Sequence, residues 1–330
     1  MPIAHKSTSL LAVALAGLIT TAAAPKPGYD ASIALVRQRQ ERDDSVAVAG
    51  ARSILLEHAR RTARVFVLLH GFSDAPTQFQ ELGERLFAGG DNVYIPRLPH
   101  HAERAGRVRA LGLTTAGELE AFGDSTIDIA AGLGDSIVVV GLSAGGNVAA
   151  SVAQRRTEVL RAVLIAPAFA PGRVSDDLGH GIVQAGARLP NITRSEKPDT
   201  TRPEFIQGIS TRGLAQVLRL GETIRQRAKK SPAAAKQIAF LLNLNDATVS
   251  GDVAVEVARE WTVGPPLVSV YQFPKSLNLP HNVLERPGHG GNPELVFPIV
   301  EALALGARVP DGVKYQFVIS DWNQPRPPQL

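Results

Sequence analysis

The chain has 330 residues, 44% of them hydrophobic, which is enough to bury a large core in one or two domains. It contains no cysteine, and this excludes disulfides, thiolate metal sites and a cysteine nucleophile. The formal net charge of +4 is spread along the chain without a dense basic block, so the composition argues against a nucleic-acid-binding surface.

Residues 1–24 have the pattern of a secretory signal peptide. A single lysine, Lys6, precedes an uncharged apolar stretch of about fifteen residues, and small residues suitable for cleavage end it. The stretch is shorter than the roughly 20 residues that span a bilayer, which favours cleavage over an uncleaved anchor. The sequence therefore predicts a periplasmic or secreted protein, cleaved after Ala23 or Ala24, with no stable membrane insertion after cleavage.

Short apolar runs alternate with stretches of helical spacing after residue 50. The predicted strands cover residues 53–58, 64–71, 91–98, 136–143, 160–170, 237–246 and 265–274. The predicted helices cover residues 76–90, 115–134, 144–157, 210–230, 251–261 and 292–306. Continuously apolar strands that alternate with helices are typical of a parallel sheet covered on both faces. The pattern predicts an α/β fold over residues 25–330.

Residues 171–235 interrupt this alternation. The first part is rich in Gly, Pro, Asp, Arg and Ser and has no long strand, and the predicted helix 210–230 follows it. We expect this region to be an insertion after one strand of the sheet, not a second domain.

The sequence Gly141-Leu142-Ser143-Ala144-Gly145 matches G-x-S-x-G between a predicted strand and a predicted helix. The glycines let strand and helix pass close to the turn and leave the hydroxyl exposed, while N–H groups at the helix start face outward. This predicts Ser143 as a nucleophile and the Ala144 N–H as an oxyanion donor. The alternative is a glycine-rich packing turn that contains serine by chance, and the flanking strand and helix disfavour it.

A second oxyanion donor is predicted in the loop after strand 64–71. His70, Gly71 and Phe72 begin this loop, and the Phe72 N–H is the best candidate to face the Ala144 N–H. The alternative is that the His-Gly pair only ends the strand.

A serine nucleophile needs a base and a carboxylate that orients it. Of the eight histidines, only His281 and His289 come after the last predicted strand. His281 directly follows that strand and is favoured, with His289 as the rival. Asp246 ends the strand 237–246, and active sites of such sheets lie at the carboxyl ends of the strands. The order Ser143, Asp246, His281 is the one expected for a hydrolase of this architecture.

These segments resemble the α/β-hydrolase superfamily, in particular its carboxylesterases and monoacylglycerol-lipase-like serine hydrolases. The resemblance covers roughly residues 50–306 and rests on VLLHGFSD, YIPRLPHH, GLSAGG, LNLND and LPHNVL. It implies a mostly parallel, doubly wound sheet, a cap inserted at about 171–235 and hydrolysis through an acyl-enzyme. Relatives often carry a Gly-His-Gly-like loop where this chain has His100-His101-Ala102, a departure that bears on the shape of the acyl or alcohol pocket.

The predicted function is that of a carboxylic-ester hydrolase, carboxylesterase- or lipase-like, which acts on a small-molecule ester or acyl substrate without a cofactor or metal. The adjacent His100 and His101 suggest a metal site only weakly, because no third ligand follows at a suitable spacing. An aminopeptidase, a thioesterase or an acyltransferase on the same triad remain alternatives, as does a non-catalytic binding protein of this fold. The sequence leaves the natural substrate, the acyl chain length and the oligomeric state open.

Overall fold

A computed structural model describes residues 27–195, 202–264, 266–310 and 317–318. The predicted signal peptide, residues 1–24, lies outside the described residues. Within these ranges, none of the helices combines the length and the apolar character needed to cross a bilayer.

The helices and strands follow the alternation that the sequence predicts. The strands are β1 (Ile54–Leu56), β2 (Thr62–Leu69), β3 (Asn92–Ile95), β4 (Gly134–Leu142), β5 (Val159–Ile165), β6 (Thr193–Ser195), β7 (Gly208–Ser210), β8 (Gln237–Asn243), β9 (Leu267–Phe273) and β10 (Phe317–Val318). The α-helices are α1 (Tyr29–Val46), α2 (Gln80–Ala88), α3 (Arg107–Leu111), α4 (Ala116–Leu133), α5 (Ala144–Arg155), α6 (Asp176–Arg188), α7 (Thr211–Ala228), α8 (Gly251–Trp261) and α9 (Pro293–Leu305). Short 3₁₀ helices cover Pro76–Phe79, Lys275–Leu277 and Pro287–His289.

One large sheet organises the described residues, with the strand order β1-β3-β2-β4-β5-β8-β9-β10. The six inner strands are parallel, whereas β1 and β10 pair antiparallel at the two edges. The predicted mostly parallel sheet is therefore confirmed. Because the inner strands run in one direction, the loops that follow β2, β4, β5, β8 and β9 all leave the sheet at the same edge.

Two apolar cores lie on opposite faces of the sheet. On β4, Val139 belongs to the core that includes residues of helices α4, α5, α7 and α8, whereas Val138 and Val140 belong to the core that includes residues of α2 and α9. Successive side chains of a strand point to opposite faces, so a strand covered on both sides must be apolar at every position. This requirement explains the uninterrupted apolar run in β4.

The insertion at residues 171–235 has two structural parts. Helix α7 belongs to the helical layer on the sheet, since the Asn147 side chain of α5 donates a 2.9 Å hydrogen bond to the Val217 carbonyl. The part before α7 contains α6 and the β6–β7 pair. This part contacts the loop after β2, where the Ile206 N–H donates to the Ser73 carbonyl across 2.8 Å.

Candidate active site

Ser143 occupies the turn between β4 and α5. Its backbone has φ 55° and ψ −112°. Residues other than glycine rarely adopt this conformation, which typically costs on the order of 1–3 kcal/mol. The Ser143 N–H donates to the Ile165 carbonyl (2.9 Å), and its carbonyl accepts from the Asn147 N–H (3.0 Å). The strand-to-helix corner that the sequence predicts is present, and β5 and α5 hold it in its strained conformation.

The two glycines of the motif lie where a side chain has no room. A Cβ on Gly145 would overlap the carbonyl oxygens of Leu69 and His70, and a Cβ on Gly141 would overlap the Gly145 carbonyl. The first turn of α5 therefore lies directly against the end of β2. This contact brings the Ser143 corner next to the loop that begins at His70.

Most of the Ser143 residue is packed into the corner. The residue is only 9% exposed. The chain after β5 folds back over the corner, where the Ala168 N–H donates to the Ser143 carbonyl across 3.3 Å. The Ser143 hydroxyl is not among the buried, unpartnered side-chain oxygens of the described residues, which agrees with the expectation of an accessible hydroxyl.

Asp246 and His281, which follow the neighbouring strands β8 and β9, are in contact. His281 Nδ1 lies 2.6 Å from Asp246 Oδ2, and Asp246 Oδ1 accepts from the N–H groups of Thr248 (2.7 Å) and Val249 (3.3 Å). An ionised carboxylate can only accept, so the His281 Nδ1 carries the proton that it donates to Asp246. This leaves His281 Nε2 as the basic nitrogen.

Within the described residues, no hydrogen bond joins the Ser143 hydroxyl to His281. Hydrogen bonds between catalytic groups are often long in a free enzyme and shorten when substrate binds, so a catalytic pair does not require this hydrogen bond in the free protein. His289 lies on the 3₁₀ helix Pro287–His289 and is exposed. The described contacts give its ring no carboxylate partner.

The peptide between Gly71 and Phe72 is held from several sides. The Gly71 carbonyl accepts from His70 Nδ1 (2.9 Å) and from the Asp74 N–H (3.2 Å), while the Gly71 N–H donates to Gln78 Oε1 (2.8 Å). In a trans peptide the N–H points opposite to the carbonyl, so fixing the Gly71 carbonyl also fixes the direction of the Phe72 N–H. Hydrogen bonds to that carbonyl polarise the peptide and strengthen its N–H as a donor.

His70 is the side chain that links this peptide to the loop after β3. The ring is fully buried, its Nδ1–H donates to the Gly71 carbonyl, and its Nε2 accepts from the Leu98 N–H across 3.0 Å. These two roles require a neutral imidazole. Burial lowers the His70 pKa well below its ordinary value, and the nearby His101 adds to the effect. Sequence reasoning found the loop but not this role of its histidine.

Comparison with known proteins agrees with this architecture. The sequence model of the alpha/beta hydrolase family matches residues 66–287, about two thirds of the chain. The chain belongs to the alpha/beta hydrolase family. A search of curated protein sequences gave no significant match.

Solved structures with the fold of this hydrolase include lipolytic enzymes. The monoacylglycerol lipase of Paleococcus ferrophilus superposes with a TM-score of 0.60 at 20% identity, covering 77% of this chain and 98% of that one. A metagenome-derived lipolytic enzyme gives 0.58 at 15% identity, covering 79% and 99%. A soluble variant of the Saccharomyces cerevisiae monoglyceride lipase gives 0.51 at 13% identity, covering 67% and 81%. At these identities the likeness establishes the fold.

Asn243, at the end of β8, supports the loop that carries the predicted base of the hydrolase. Its Nδ2 donates to the carbonyls of Leu279 (2.9 Å) and Pro280 (3.0 Å), and its Oδ1 accepts from the Asn245 N–H (3.0 Å). The residue before His281 is therefore tied to the same strand end from which Asp246 leaves. The sequence analysis missed this role, and the asparagine inside the apolar run FLLNLND is the signal that could have indicated it.

The His100–His101 loop, where the hydrolase departs from the pattern of its relatives, uses its two rings separately. His101 is buried, donates from Nδ1 to the Pro99 carbonyl (2.8 Å) and packs edge-on against the Phe72 ring at 5.7 Å. Burial lowers the His101 pKa to about 4, so the ring is neutral. His100 instead faces Glu118 across 3.2 Å. The described residues contain no cluster of three side chains suited to hold a metal ion.

Proposed function

We propose that this alpha/beta hydrolase is a serine hydrolase that cleaves carboxylic esters of small molecules through an acyl-enzyme. The observation that carries the proposal is the 2.6 Å contact between His281 Nδ1 and Asp246 Oδ2, at the sheet edge where the β4–Ser143–α5 turn also lies. An oriented imidazole beside a strained serine turn is the arrangement that acyl transfer to serine needs.

In the first half of the proposed reaction, Ser143 Oγ attacks the ester carbonyl carbon while His281 Nε2 removes the hydroxyl proton. Asp246 keeps the ring in the Nδ1–H tautomer and stabilises the imidazolium that forms. The N–H groups of Phe72 and Ala144 donate to the oxyanion of the tetrahedral intermediate. His281 then protonates the alkoxide oxygen as the C–O bond breaks, and the alcohol leaves.

In the second half, a water molecule attacks the acyl-serine carbonyl while His281 Nε2 takes one of its protons. The same two N–H groups receive the new oxyanion. The bond to Ser143 Oγ then breaks, His281 returns the proton to Oγ, and the carboxylic acid leaves. All proton transfers use one nitrogen, so the neutral ring is restored after each turnover.

The choice of esters as the substrate class is more specific than the proposal of a serine hydrolase. Lipolytic enzymes are among the solved structures of the same fold, and this makes esters the first substrates to test. Thioesters, aminoacyl amides and acyl transfer to an alcohol use the same groups, and they are the alternatives that a substrate panel must separate. We also propose that the enzyme is exported, on the basis of the leader pattern in residues 1–24.

The test is covalent labelling and turnover by the purified mature protein. A fluorophosphonate is expected to label the wild type at Ser143 and to leave Ser143→Ala unlabelled. A series of p-nitrophenyl esters of increasing acyl length is expected to be hydrolysed, whereas aminoacyl anilides are not. Absence of labelling would support a non-catalytic binding protein of this fold. Preferential cleavage of the anilides would show that the protein is a peptidase and not an esterase.

A further inference from the structure

A buried arginine of the insertion lies between two loops of the active site. The Arg202 side chain is only 9% exposed, and its guanidinium contacts Asp74, in the loop of Phe72, and Glu285, in the loop of His281. The distances are 3.3 Å from Nη2 to each Asp74 oxygen and 2.9 Å from Nη1 to Glu285 Oε1. The guanidinium also stacks on the Phe205 ring, with Cζ 4.6 Å from the ring centre.

Arg202, Asp74 and Glu285 form a charged cluster. Asp74, on the side of the loop after β2, is hydrogen-bonded to the predicted oxyanion peptide. The Asp74 N–H donates to the Gly71 carbonyl, which is the carbonyl that orients the Phe72 N–H. The insertion makes two more contacts here, from the Ile206 N–H to the Ser73 carbonyl (2.8 Å) and between the Thr77 hydroxyl and Glu204 (3.2 Å). The segment around Arg202 is therefore attached to the loop from Gly71 to Thr77.

The other side of the cluster is tied to the predicted base. Glu285 Oε2 accepts from Asn282 Nδ2 across 3.1 Å, and Asn282 directly follows His281 in the chain. The same turn is closed by the Val283 N–H, which donates to the His281 carbonyl (3.0 Å). A shift of Glu285 would therefore move the turn on which the imidazole is carried.

Charge makes the arginine indispensable to this arrangement. Two carboxylates, Asp74 and Glu285, contact the buried guanidinium, and a third, Glu204, acts on it electrostatically. Removing one member of a buried charged cluster leaves the others without compensation. Burial raises the pKa of Asp74 to about 6, Arg202 offsets part of this rise, and Glu285 and Glu204 add to it. Without Arg202 the carboxylates would repel each other across the junction between the two loops.

We propose that Arg202 is a positioning residue through which the insertion holds the oxyanion loop and the histidine loop in register for catalysis. The planar guanidinium suits this role because its fork can meet two carboxylates at once, which an ammonium cannot do in the same geometry. The inference rests on the proposed serine-hydrolase function. It gives the insertion a part in the chemistry in addition to any contact with substrate.

The cluster borders a cleft of about 350 Å³ that is lined by polar side chains and does not include Ser143, Asp246 or His281. We assign no ligand to this cleft. Substitutions of Arg202 and Glu285 therefore change the wall of this cleft and leave the three predicted catalytic side chains in place.

The experiment compares Arg202→Gln and Arg202→Lys with wild type, using Arg61→Gln as the matched control. Arg61 pairs with Asp135 on the surface, next to the start of β2 and therefore at the sheet edge opposite the active site. Fluorophosphonate titration gives the concentration of competent serine, and kcat and KM for a short ester are expressed per titrated site. Because misplaced catalytic groups cost turnover, Arg202→Gln is expected to lower kcat by about 10- to 100-fold with little change in KM.

A purely structural role would lower the yield of folded protein without changing kcat per titrated site. Arg202→Lys keeps the charge, but an ammonium cannot meet both carboxylates in the same geometry, so it is also expected to lower kcat, by less than Arg202→Gln does. A value of kcat for Arg202→Gln within about threefold of wild type would overturn the inference, whatever its melting temperature. If Arg202→Gln does not fold, Arg202→Lys provides the test. An unchanged kcat of Arg202→Lys would overturn the inference. A loss of its kcat per titrated site, absent in Arg61→Gln, would support the inference.

A double-mutant cycle isolates the link to the histidine loop. Glu285→Gln is expected to lower kcat in the wild-type background and to have no further effect in the Arg202→Lys background. Equal effects in both backgrounds would show that Glu285 and Arg202 act independently and would overturn the link. If the wild type itself neither labels nor hydrolyses esters, the proposed function fails, and this outcome is distinct from a wild type that is active and insensitive to Arg202.

Discussion

His281 Nδ1 donates to Asp246 Oδ2 across 2.6 Å, although the two residues are 35 positions apart. The contact follows from the topology of the sheet. Strands β8 and β9 are parallel neighbours, with Asn243 paired to Phe273 at their ends. Helix α8 returns the chain between them, so the two loops leave the sheet side by side, and an aspartate on one can reach a histidine on the other.

Asp246→Asn tests whether the carboxylate orients the imidazole. An amide can present its NH₂ group to Nδ1 and thereby favour the wrong tautomer, so we expect kcat to fall by about 10³- to 10⁴-fold while KM changes little. Steady-state kinetics on the preferred ester measure this loss. Asp252→Asn, at an exposed position in the first turn of α8, is the matched control and should keep wild-type kcat. A variant at 246 that retains wild-type turnover would remove the residue from the mechanism.

The base is tested by His281→Gln and His289→Gln. Without a proton acceptor the serine hydroxyl is a weak nucleophile, so His281→Gln should lose at least about 10³-fold in kcat and label slowly with the fluorophosphonate. His289 is exposed and follows a different turn, so its substitution should leave kcat and labelling rate unchanged. The reverse result would reassign the base to His289.

The elements that carry the candidate site were predictable because each leaves a local signal. The run FLLNLND, which contains the end of β8, closes with the polar Asp246, and the G-x-S-x-G corner follows β4. Strands that are apolar on both faces can be buried only as inner strands of a sheet. Parallel strands end at one edge, so residues that follow them must gather there. The family resemblance then gave the order in which to combine them.

Contacts between buried polar side chains were not predictable in this way. Arg202 meets Asp74 across 128 positions of the chain, and no periodicity connects them. The sequence places His70 at the start of the predicted oxyanion loop but does not show what its ring contacts, because the carbonyl and the N–H that the ring bridges come from separate loops. Such contacts depend on how loops fold over the sheet, and sequence patterns do not fix that.

Asp74→Asn tests the charge balance of the Arg202 cluster through the pH dependence of stability. The pKa of Asp74 is raised from 3.8 to about 6 in the folded protein, so the native state binds this proton more tightly than the unfolded chain. Ionisation of Asp74 therefore opposes folding: the opposition is absent below pH 3.8 and develops as the pH rises through about 6. Asparagine removes it.

We expect the free energy of unfolding of Asp74→Asn, relative to wild type, to increase by about 2 kcal/mol between about pH 4 and about pH 7.5. Denaturant titrations at both pH values measure this difference. The control is Asp135→Asn, which removes an exposed carboxyl outside the Arg202 cluster and shows the effect of an Asp→Asn exchange as such. A relative stability of Asp74→Asn that is independent of pH would show that Asp74 is ionised without penalty in the fold.

Ser143→Gly and Ser143→Ala together measure the backbone strain at the nucleophile. Both variants lack the hydroxyl and should be inactive, so they differ only in how well the residue tolerates φ 55° and ψ −112°. Alanine keeps the steric conflict that serine has, whereas glycine adopts positive φ readily. Glycine also adds conformational freedom to the unfolded chain, which offsets part of the gain.

The balance of these effects predicts that Ser143→Gly is more stable than Ser143→Ala by about 1 kcal/mol. Equilibrium unfolding in denaturant at one pH gives both free energies. The control is the pair Gly181→Ala and wild type. Gly181 lies inside α6 with open space around its Cβ position and without positive φ, so alanine should be the more stable residue there. If alanine is also the more stable residue at 143, the corner holds no strain, and its shape is set by the contacts of β5 and α5 alone.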